Sequence, residues 1–208
     1  MDIIKVVIFD CDGVLFDSKK ANTEFYNYIL SHFGREKMTE DQIEFVHKNT
    51  SQESLRYLFK NDRVLGDALQ YRKTLDYSPF IQYMITEPHL FDLLEWLKPK
   101  MKTTISTNRS DTIGDVLRIK GLTEYFDLVI SSLDVVNPKP HPESLFRIVE
   151  YFHISPSEAI FIGDSEIDEL ASTKAHIPFV AYKNQALSAK YHIDSLLEIR
   201  EIVGESVR

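Results

Sequence analysis

A short apolar run near the start of the chain, followed at once by two acids, constrains the fold more than any other feature of the sequence. Val6–Phe9 reads Val-Val-Ile-Phe, and such a run of β-branched and aromatic residues is typical of a strand buried on both faces. Asp10 and Asp12 follow it, and two carboxylates so close together repel each other unless something compensates them. A hard divalent cation can do so, and a carboxylate beside such a cation can attack phosphorus. We therefore expect a buried strand that ends at a charged site.

The same pattern of buried strands continues along the chain, now in alternation with helices. Four further apolar segments are predicted strands, at residues 103–106, 128–131, 160–162 and 179–181. Amphipathic helices are predicted at residues 91–97, 111–120, 143–152, 166–174 and 196–203. Buried strands that alternate with helices predict an α/β fold, in which helices cover both faces of a parallel sheet.

One long segment, from residue 18 to about residue 86, interrupts this alternation because it is helical throughout. Helices are predicted over residues 20–33, after a capping box that begins at Thr39, after a cap at Ser51, and over residues 64–84, the last as one helix or as two broken near residues 77–79. The insertion leaves the sheet directly after the acids, so it is placed to cover them. We expect a core of residues 1–16 and 88–208 and an all-helical cap of residues 17–87, with hinges near 16–18 and 86–88.

Composition narrows the class of protein. The formal net charge of -8 over 208 residues disfavours non-specific binding of nucleic acid. A single cysteine excludes an internal disulfide and fits a reducing cytoplasm. The sequence shows neither a signal-peptide pattern nor an apolar run of membrane-spanning length. We expect a cytoplasmic protein that binds neither membrane nor nucleic acid, and the sequence leaves its oligomeric state open.

Polar residues follow each of the first four predicted strands. They are Asp10 and Asp12 after the first, Thr107, Asn108 and Arg109 after the second, Lys139 after the third, and Asp164 and Asp168 after the fourth. Ligands of open α/β sheets bind beyond the carboxyl ends of the strands, which lie at one edge of a parallel sheet. Acids, a hydroxyl group, an amide and a lysine are therefore expected to meet at that edge.

These motifs, in this order, resemble those of the haloacid dehalogenase-like superfamily. They read DCDGV at residues 10–14, TN at 107–108, KPHPE at 139–143 and GDSEID at 163–168. The helical insertion is similar to the small cap of the subgroup that contains phosphoglycolate phosphatase and β-phosphoglucomutase. The resemblance covers nearly the whole chain. It implies a Rossmann-like core and a Mg²⁺-dependent phosphatase that hydrolyses a small soluble phosphomonoester, phosphoglycolate-like or a sugar phosphate, through an aspartyl-phosphate intermediate.

The resemblance also implies a role for each matching residue. Asp10 would be the nucleophile, and Asp12 would be the acid and base that protonates the leaving oxygen and then activates water. Mg²⁺ would be held by the Asp10 carboxylate, the Asp12 backbone carbonyl and Asp164. Asp168 would support the site by orienting a metal-bound water or by holding the lysine of the third motif. The positions that would bind the phosphate of the substrate are Thr107, Asn108 and Lys139.

Two basic residues have open roles. Arg109 could contact a second anionic group on the substrate, or it could pair with Asp111 or Glu143 at the surface. Lys48 belongs to residues 48–51, which resemble the substrate-specificity loop of small-capped relatives, and it could face the substrate or solvent.

Departures from the family pattern bear on the alternatives. The β-phosphoglucomutase branch has a histidine in the first cap helix where this chain has Asn22, which disfavours a sugar phosphomutase. Dehalogenases replace the second acid of the first motif, so Asp12 disfavours dehalogenation. A non-catalytic phosphate-binding regulatory protein remains an alternative, although binding alone does not require Asp12. The sequence leaves the substrate open.

Overall fold

A computed structural model describes residues 3–60 and 63–204 of the chain. Its strands are β1 (Val6–Phe9), β2 (Phe16–Asp17), β3 (Ile85–Thr86), β4 (Lys102–Ser106), β5 (Leu128–Ile130), β6 (Ala159–Gly163), β7 (Phe179–Tyr182) and β8 (Tyr191–Ile193). Its α-helices are α1 (Lys19–His32), α2 (Glu40–Lys48), α3 (Ser51–Leu58), α4 (Leu65–Thr74), α5 (Ser78–Ile81), α6 (Leu90–Leu97), α7 (Ile113–Ile119), α8 (Glu143–Tyr151), α9 (Glu166–Ala175) and α10 (Ile199–Gly204).

Six of the strands form one parallel sheet in the order β5-β4-β1-β6-β7-β8. β1 lies inside this sheet, and its four side chains are fully buried. Because successive side chains of a strand point to opposite faces, Val7 and Phe9 join one apolar cluster and Val6 and Ile8 join another. Helices α6, α7 and α10 contribute to the first cluster, and α8 and α9 to the second. The prediction of an α/β sheet covered on both faces is confirmed.

The insertion leaves and rejoins this sheet through a short antiparallel ribbon. β2 pairs with β3, with Phe16 opposite Thr86 and Asp17 opposite Ile85. The ribbon lies where hinges are predicted, but two-residue strands have no pattern of their own in the sequence. The described residues between β2 and β3 contain helices α1 to α5. Aromatic side chains of this segment pack edge to face around Phe25, as with Tyr77 at 5.0 Å between ring centroids.

One predicted helix boundary in the insertion needs correction, and two are confirmed. Thr39 begins a capping box with Gln42, as predicted. The cap of α3 is Thr50 rather than Ser51, because the Thr50 side chain accepts from the backbone N–H of Glu53, whose carboxylate accepts from the backbone N–H of Thr50. Of the two alternatives for residues 64–84, one helix or two broken near residues 77–79, the second is confirmed, because α4 ends at Thr74 and α5 begins at Ser78.

Other boundaries move by one to three residues, and the last helix, α10, begins at Ile199 rather than at residue 196, after a 3-10 helix of residues 196–198. α7 begins at Ile113 rather than at residue 111, and β5 ends at Ile130 rather than at residue 131. The edge strand β8 is absent from the prediction, because it is three residues long and only partly buried. None of the helices in the described residues is long and apolar enough to cross a membrane.

Candidate active site

The carboxyl end of β1 and the turn after it place the first two acids. The backbone N–H of Asp10 donates to the carbonyl of Ile162 at 2.9 Å, which joins the ends of β1 and β6. The turn then bends at Gly13, where φ is 83°. A Cβ at Gly13 would lie 2.1 Å from Oδ2 of Asp164. Only glycine therefore combines this backbone conformation with so close an approach of the third acid.

Three carboxylates meet at this point. One oxygen atom from each of Asp10, Asp164 and Asp168 lies within 4.8 Å of the others. All the donors are oxygen atoms, and the ammonium of Lys139 lies against two of the three carboxylates, those of Asp10 and Asp168. This donor set fits a hard divalent cation such as Mg²⁺, which prefers carboxylate and carbonyl oxygen. The cluster found among the described residues does not include the carboxylate of Asp12.

Lys139 forms the centre of the charge network. Its Nζ lies 2.9 Å from Oδ1 of Asp10 and 2.6 Å from Oδ1 of Asp168, and it donates to the carbonyl of Ser106 at 2.9 Å. Its side chain is 2% exposed. Burial lowers the pKa of Lys139, but the two carboxylates outweigh that effect and raise it above its usual range, so the ammonium keeps its charge.

Asp168 contacts Lys139 of the third motif and Ser165 at the start of its own helix. Its Oδ1 holds Lys139, and its Oδ2 accepts from the hydroxyl of Ser165 at 2.6 Å, while the Asp168 N–H donates back in the capping box of α9. The residue is fully buried. Asp168 thus both caps its own helix and fixes the lysine.

Burial and crowding shift the pKa values of the acids. Burial and the neighbouring Asp168 raise the pKa of Asp10 to about 7, against the opposing effect of Lys139. Burial, Asp168 and Asp10 raise the pKa of Asp164 well above its usual range. The pKa of Asp12 moves the other way: burial raises it, but the guanidinium of Arg109 outweighs burial and lowers it overall.

The raised pKa of Asp10 predicts a pH-dependent stability in the absence of divalent cations. Between the ordinary value of about 4 and the folded value of about 7, the folded state binds more protons than the unfolded state, so the free energy of unfolding falls as pH rises. We expect Asp10→Asn to be more stable than the wild type at pH 8 by about 1–3 kcal/mol, and the gap to close towards pH 5. Urea unfolding at several pH values, with chelator present, measures this. Parallel pH profiles for the two proteins would contradict the assignment.

The residues of the second motif, Thr107 and Asn108, hold neighbouring loops in place and also line the cleft. Thr107 is buried, and its hydroxyl accepts from the backbone N–H of Arg109 at 3.1 Å. The Asn108 amide donates to the carbonyl of Lys139 at 2.9 Å and to the carbonyl of Lys48 at 3.3 Å. This amide therefore contacts a core loop and a loop of the insertion. Its oxygen is buried without a hydrogen-bond partner among the described residues.

Arg109 contacts neither of the acids offered as surface partners. Its guanidinium engages both carboxylate oxygens of Asp12, with Nε donating to Oδ2 at 3.1 Å and Nη2 donating to Oδ1. The residue is 8% exposed. Asp111 instead accepts from Arg72 in a two-point contact, and Glu143 accepts from the backbone N–H groups of residues 136 and 137. The surface-pairing alternative for Arg109 is wrong.

Lys48 lies at the mouth of the cleft. Its Nζ is 3.9 Å from the carboxylate of Glu166, and its side chain is 34% exposed. Lys48 thus faces an acid of the core as well as solvent.

A small cleft of about 50 Å³ lies between the insertion and the sheet edge. Beyond the predicted residues, it is lined by Asn22, Tyr26, His47, Arg72 and Tyr77, among others. Arg72 of α4 is buried and ties the insertion to the core through Asp111 and Ser110. Burial lowers the pKa of His47, whose Nδ1 has no hydrogen-bond partner among the described residues. Of these five residues, Asn22 alone was considered from the sequence, because no local pattern indicates that a residue on a helix faces a distant loop.

The comparison with known proteins agrees with this geometry. The sequence profile described as haloacid dehalogenase-like hydrolase matches residues 7–182. The chain belongs to this family. A solved structure of a HAD-superfamily hydrolase, subfamily IA, variant 1, from Geobacter sulfurreducens is 39% identical, with a TM-score of 0.79, and the match covers 97% of each chain. The family resemblance seen in the motifs and the expectation of an enzyme are therefore confirmed.

Curated relatives of this family member are named as phosphatases. Pyrophosphatase PpaX of Oceanobacillus iheyensis is 23% identical, and the match covers 98% of each chain. Phosphoglycolate phosphatase of Nitrosococcus oceani is 25% identical, and the match covers 97% of each chain. The alignments thus include both the sheet and the helical insertion.

Proposed function

We propose that this protein is a Mg²⁺-dependent phosphatase that hydrolyses a small soluble phosphomonoester through an aspartyl-phosphate on Asp10. The proposal rests above all on the position of Asp10, whose Oδ1 lies 2.9 Å from the buried ammonium of Lys139 in a cluster of three carboxylates. We assign metal binding to Asp10, the Asp12 carbonyl and Asp164. When bound there, Mg²⁺ would neutralise charge on these carboxylates and on the phosphoryl oxygens.

The proposed reaction has two steps. In the first, an Asp10 oxygen forms a bond to phosphorus while the bond to the leaving oxygen breaks, and Asp12, once it has taken up a proton from solvent, gives that proton to the leaving oxygen. In the second, Asp12 takes a proton from water as the water oxygen attacks phosphorus, which frees phosphate and regenerates the Asp10 carboxylate. Lys139 and the Thr107 hydroxyl would donate to the non-bridging oxygens as their charge changes. Asn108 would sit beside them and keep the Lys139 loop in place.

The insertion is proposed to act as a cap, with residues 17–87 closing over a core of residues 1–16 and 88–208. A cleft of about 50 Å³ holds only a few water molecules, so a closed cap favours a compact substrate and excludes bulk water. The substrates in the names of the two curated relatives, pyrophosphate and phosphoglycolate, are compact anions of this kind. The lone cysteine, Cys11, is buried and unpaired, which supports the proposal of a reducing, cytoplasmic location.

The mutase alternative has less support. The side-chain oxygen of Asn22, at the position of the mutase histidine, accepts from the Tyr77 hydroxyl at 2.8 Å and from Arg109 at 3.3 Å. An amide held in this way offers no acid or base for a second phosphoryl transfer, so plain hydrolysis is favoured.

A panel of metabolite phosphates, with released phosphate measured, tests the proposal. We expect turnover of small phosphomonoesters in Mg²⁺, a fall of at least about a hundredfold after treatment with a chelator, and recovery when Mg²⁺ is restored. Equal rates with and without chelator would contradict the metal assignment. Phosphate binding without turnover of any ester would favour the regulatory, non-catalytic alternative.

A further inference from the structure

Arg109 is almost completely enclosed, and its contacts come from four directions. Its side chain is 4% exposed. Besides the two oxygens of Asp12, it donates to the hydroxyl of Thr112 at 3.2 Å and to the amide oxygen of Asn22 at 3.3 Å. Its guanidinium also lies 5.0 Å from the centre of the Tyr77 ring. Among these partners only Asp12 carries a negative charge.

The carboxylate of Asp12 is fully engaged in this arrangement. Arg109 binds both of its oxygens, and the Ser18 hydroxyl also donates to Oδ1. A carboxylate held by these donors cannot give a proton to a leaving oxygen. The acid step therefore requires Asp12 to leave the guanidinium.

Releasing Asp12 would leave a buried guanidinium without an anion. An uncompensated charge inside a protein is strongly unfavourable, so release is easy only if another anion takes the place of Asp12. Among the other acids that line the cleft, Asp10 and Asp168 are held by Lys139, and Asp164 is assigned to the metal. A second oxyanion on the substrate can therefore take the place of Asp12.

We propose that Arg109 selects substrates whose leaving group carries a second oxyanion, because that oxyanion takes the place of Asp12 on the guanidinium. The freed Asp12 carboxylate takes up a proton from solvent and then gives that proton to the leaving oxygen. This inference rests on the proposed phosphatase function and adds a substrate class to it. Arg109 lines the cleft beside Asn22, Tyr77 and Thr112, so a leaving-group carboxylate or phosphate would meet it directly. A neutral leaving group would fill the same space and leave Asp12 in place.

Matched pairs of esters test the inference in the full-length protein. 2-Phosphoglycolate is compared with 2-hydroxyethyl phosphate, and 3-phosphoglycerate with glycerol 3-phosphate, since each pair differs by an alcohol in place of a carboxylate. For the wild type we expect kcat/KM to favour the anionic member of at least one pair by about a hundredfold or more. For Arg109→Met and Arg109→Gln we expect this ratio to fall at least about tenfold. Arg118→Met, an exposed arginine on α7, should keep the wild-type ratio.

The outcomes separate this inference from the function on which it rests. Hydrolysis of all four esters by the wild type with no preference for charge would overturn the inference and leave the phosphatase function standing. Equal losses on both members of a pair in the Arg109 variants would also overturn it, because they would indicate a purely structural contact. Should neither Arg109 variant fold, the wild-type ratios decide the question alone. Failure to hydrolyse any phosphomonoester would remove both proposals.

Discussion

Asp10→Asn is expected to lose at least about 10⁴-fold in kcat for every phosphomonoester that the wild type hydrolyses. An amide oxygen is a poor nucleophile towards phosphorus, and the amide also removes a negative ligand from the proposed metal site. Released phosphate is the measurement, with Mg²⁺ in excess. Asp194→Asn is a suitable control, because Asp194 is exposed and follows β8, the edge strand of the sheet.

The stability of Asp10→Asn shows whether its loss of activity comes from unfolding. Asp10 is buried beside two other acids, so its replacement by a neutral side chain relieves repulsion, and loss of folding would not explain the loss of activity. An inactive variant that is more stable than the wild type at pH 8 is the combined result expected of a nucleophile. Activity near that of the wild type would rule out Asp10 as the nucleophile.

The core was predictable because its constraints are local. A run such as Val6–Phe9 has to be buried on both faces, and five such runs separated by amphipathic helices allow few arrangements other than a covered parallel sheet. Once the strands are parallel, their carboxyl ends share an edge, which brings Asp10, Lys139 and Asp164 together without further information.

What the sequence did not reveal depends on contacts between distant residues. Asp12 and Arg109 are separated by 97 positions, and nothing in the local pattern of either indicates that they pair. The contact between Arg72 and Asp111 likewise joins a helix of the insertion to a loop of the core. Such pairs depend on how the insertion packs against the sheet edge.

The cap of α3 could have been predicted correctly from the sequence. Thr50 and Ser51 are both good helix caps, and only Thr50 has a glutamate three residues later, at Glu53, to return the hydrogen bond. The ribbon of β2 and β3, by contrast, has two residues in each strand, too few for an alternation to be visible. Its strands form because the two ends of the insertion have to lie side by side.

Lys139→Met is expected to cause the second large loss, about 10³-fold in kcat/KM. The buried ammonium lies against Asp10 and is proposed to face the phosphoryl oxygens, and a methionine of similar length fills the space without the charge. Lys174→Met is the matched control: Lys174 is exposed and donates to the carbonyl of Pro140 in the same loop, at 3.2 Å. The control should remain within about threefold of the wild type.

The free energy of unfolding of Lys139→Met provides an independent test of the role of this lysine. Without Lys139, the pKa values of Asp10 and Asp164 rise further, because this ammonium is the positive group that lowers both. We expect a loss of about 3 kcal/mol in the free energy of unfolding at pH 8, less at pH 5, where the acids bind protons. Mg²⁺ should restore part of the loss by supplying positive charge at the cluster, and urea unfolding with and without the metal measures this. Activity within tenfold of the wild type, or a loss of stability that does not depend on pH, would show that Lys139 does not balance the charge of these carboxylates.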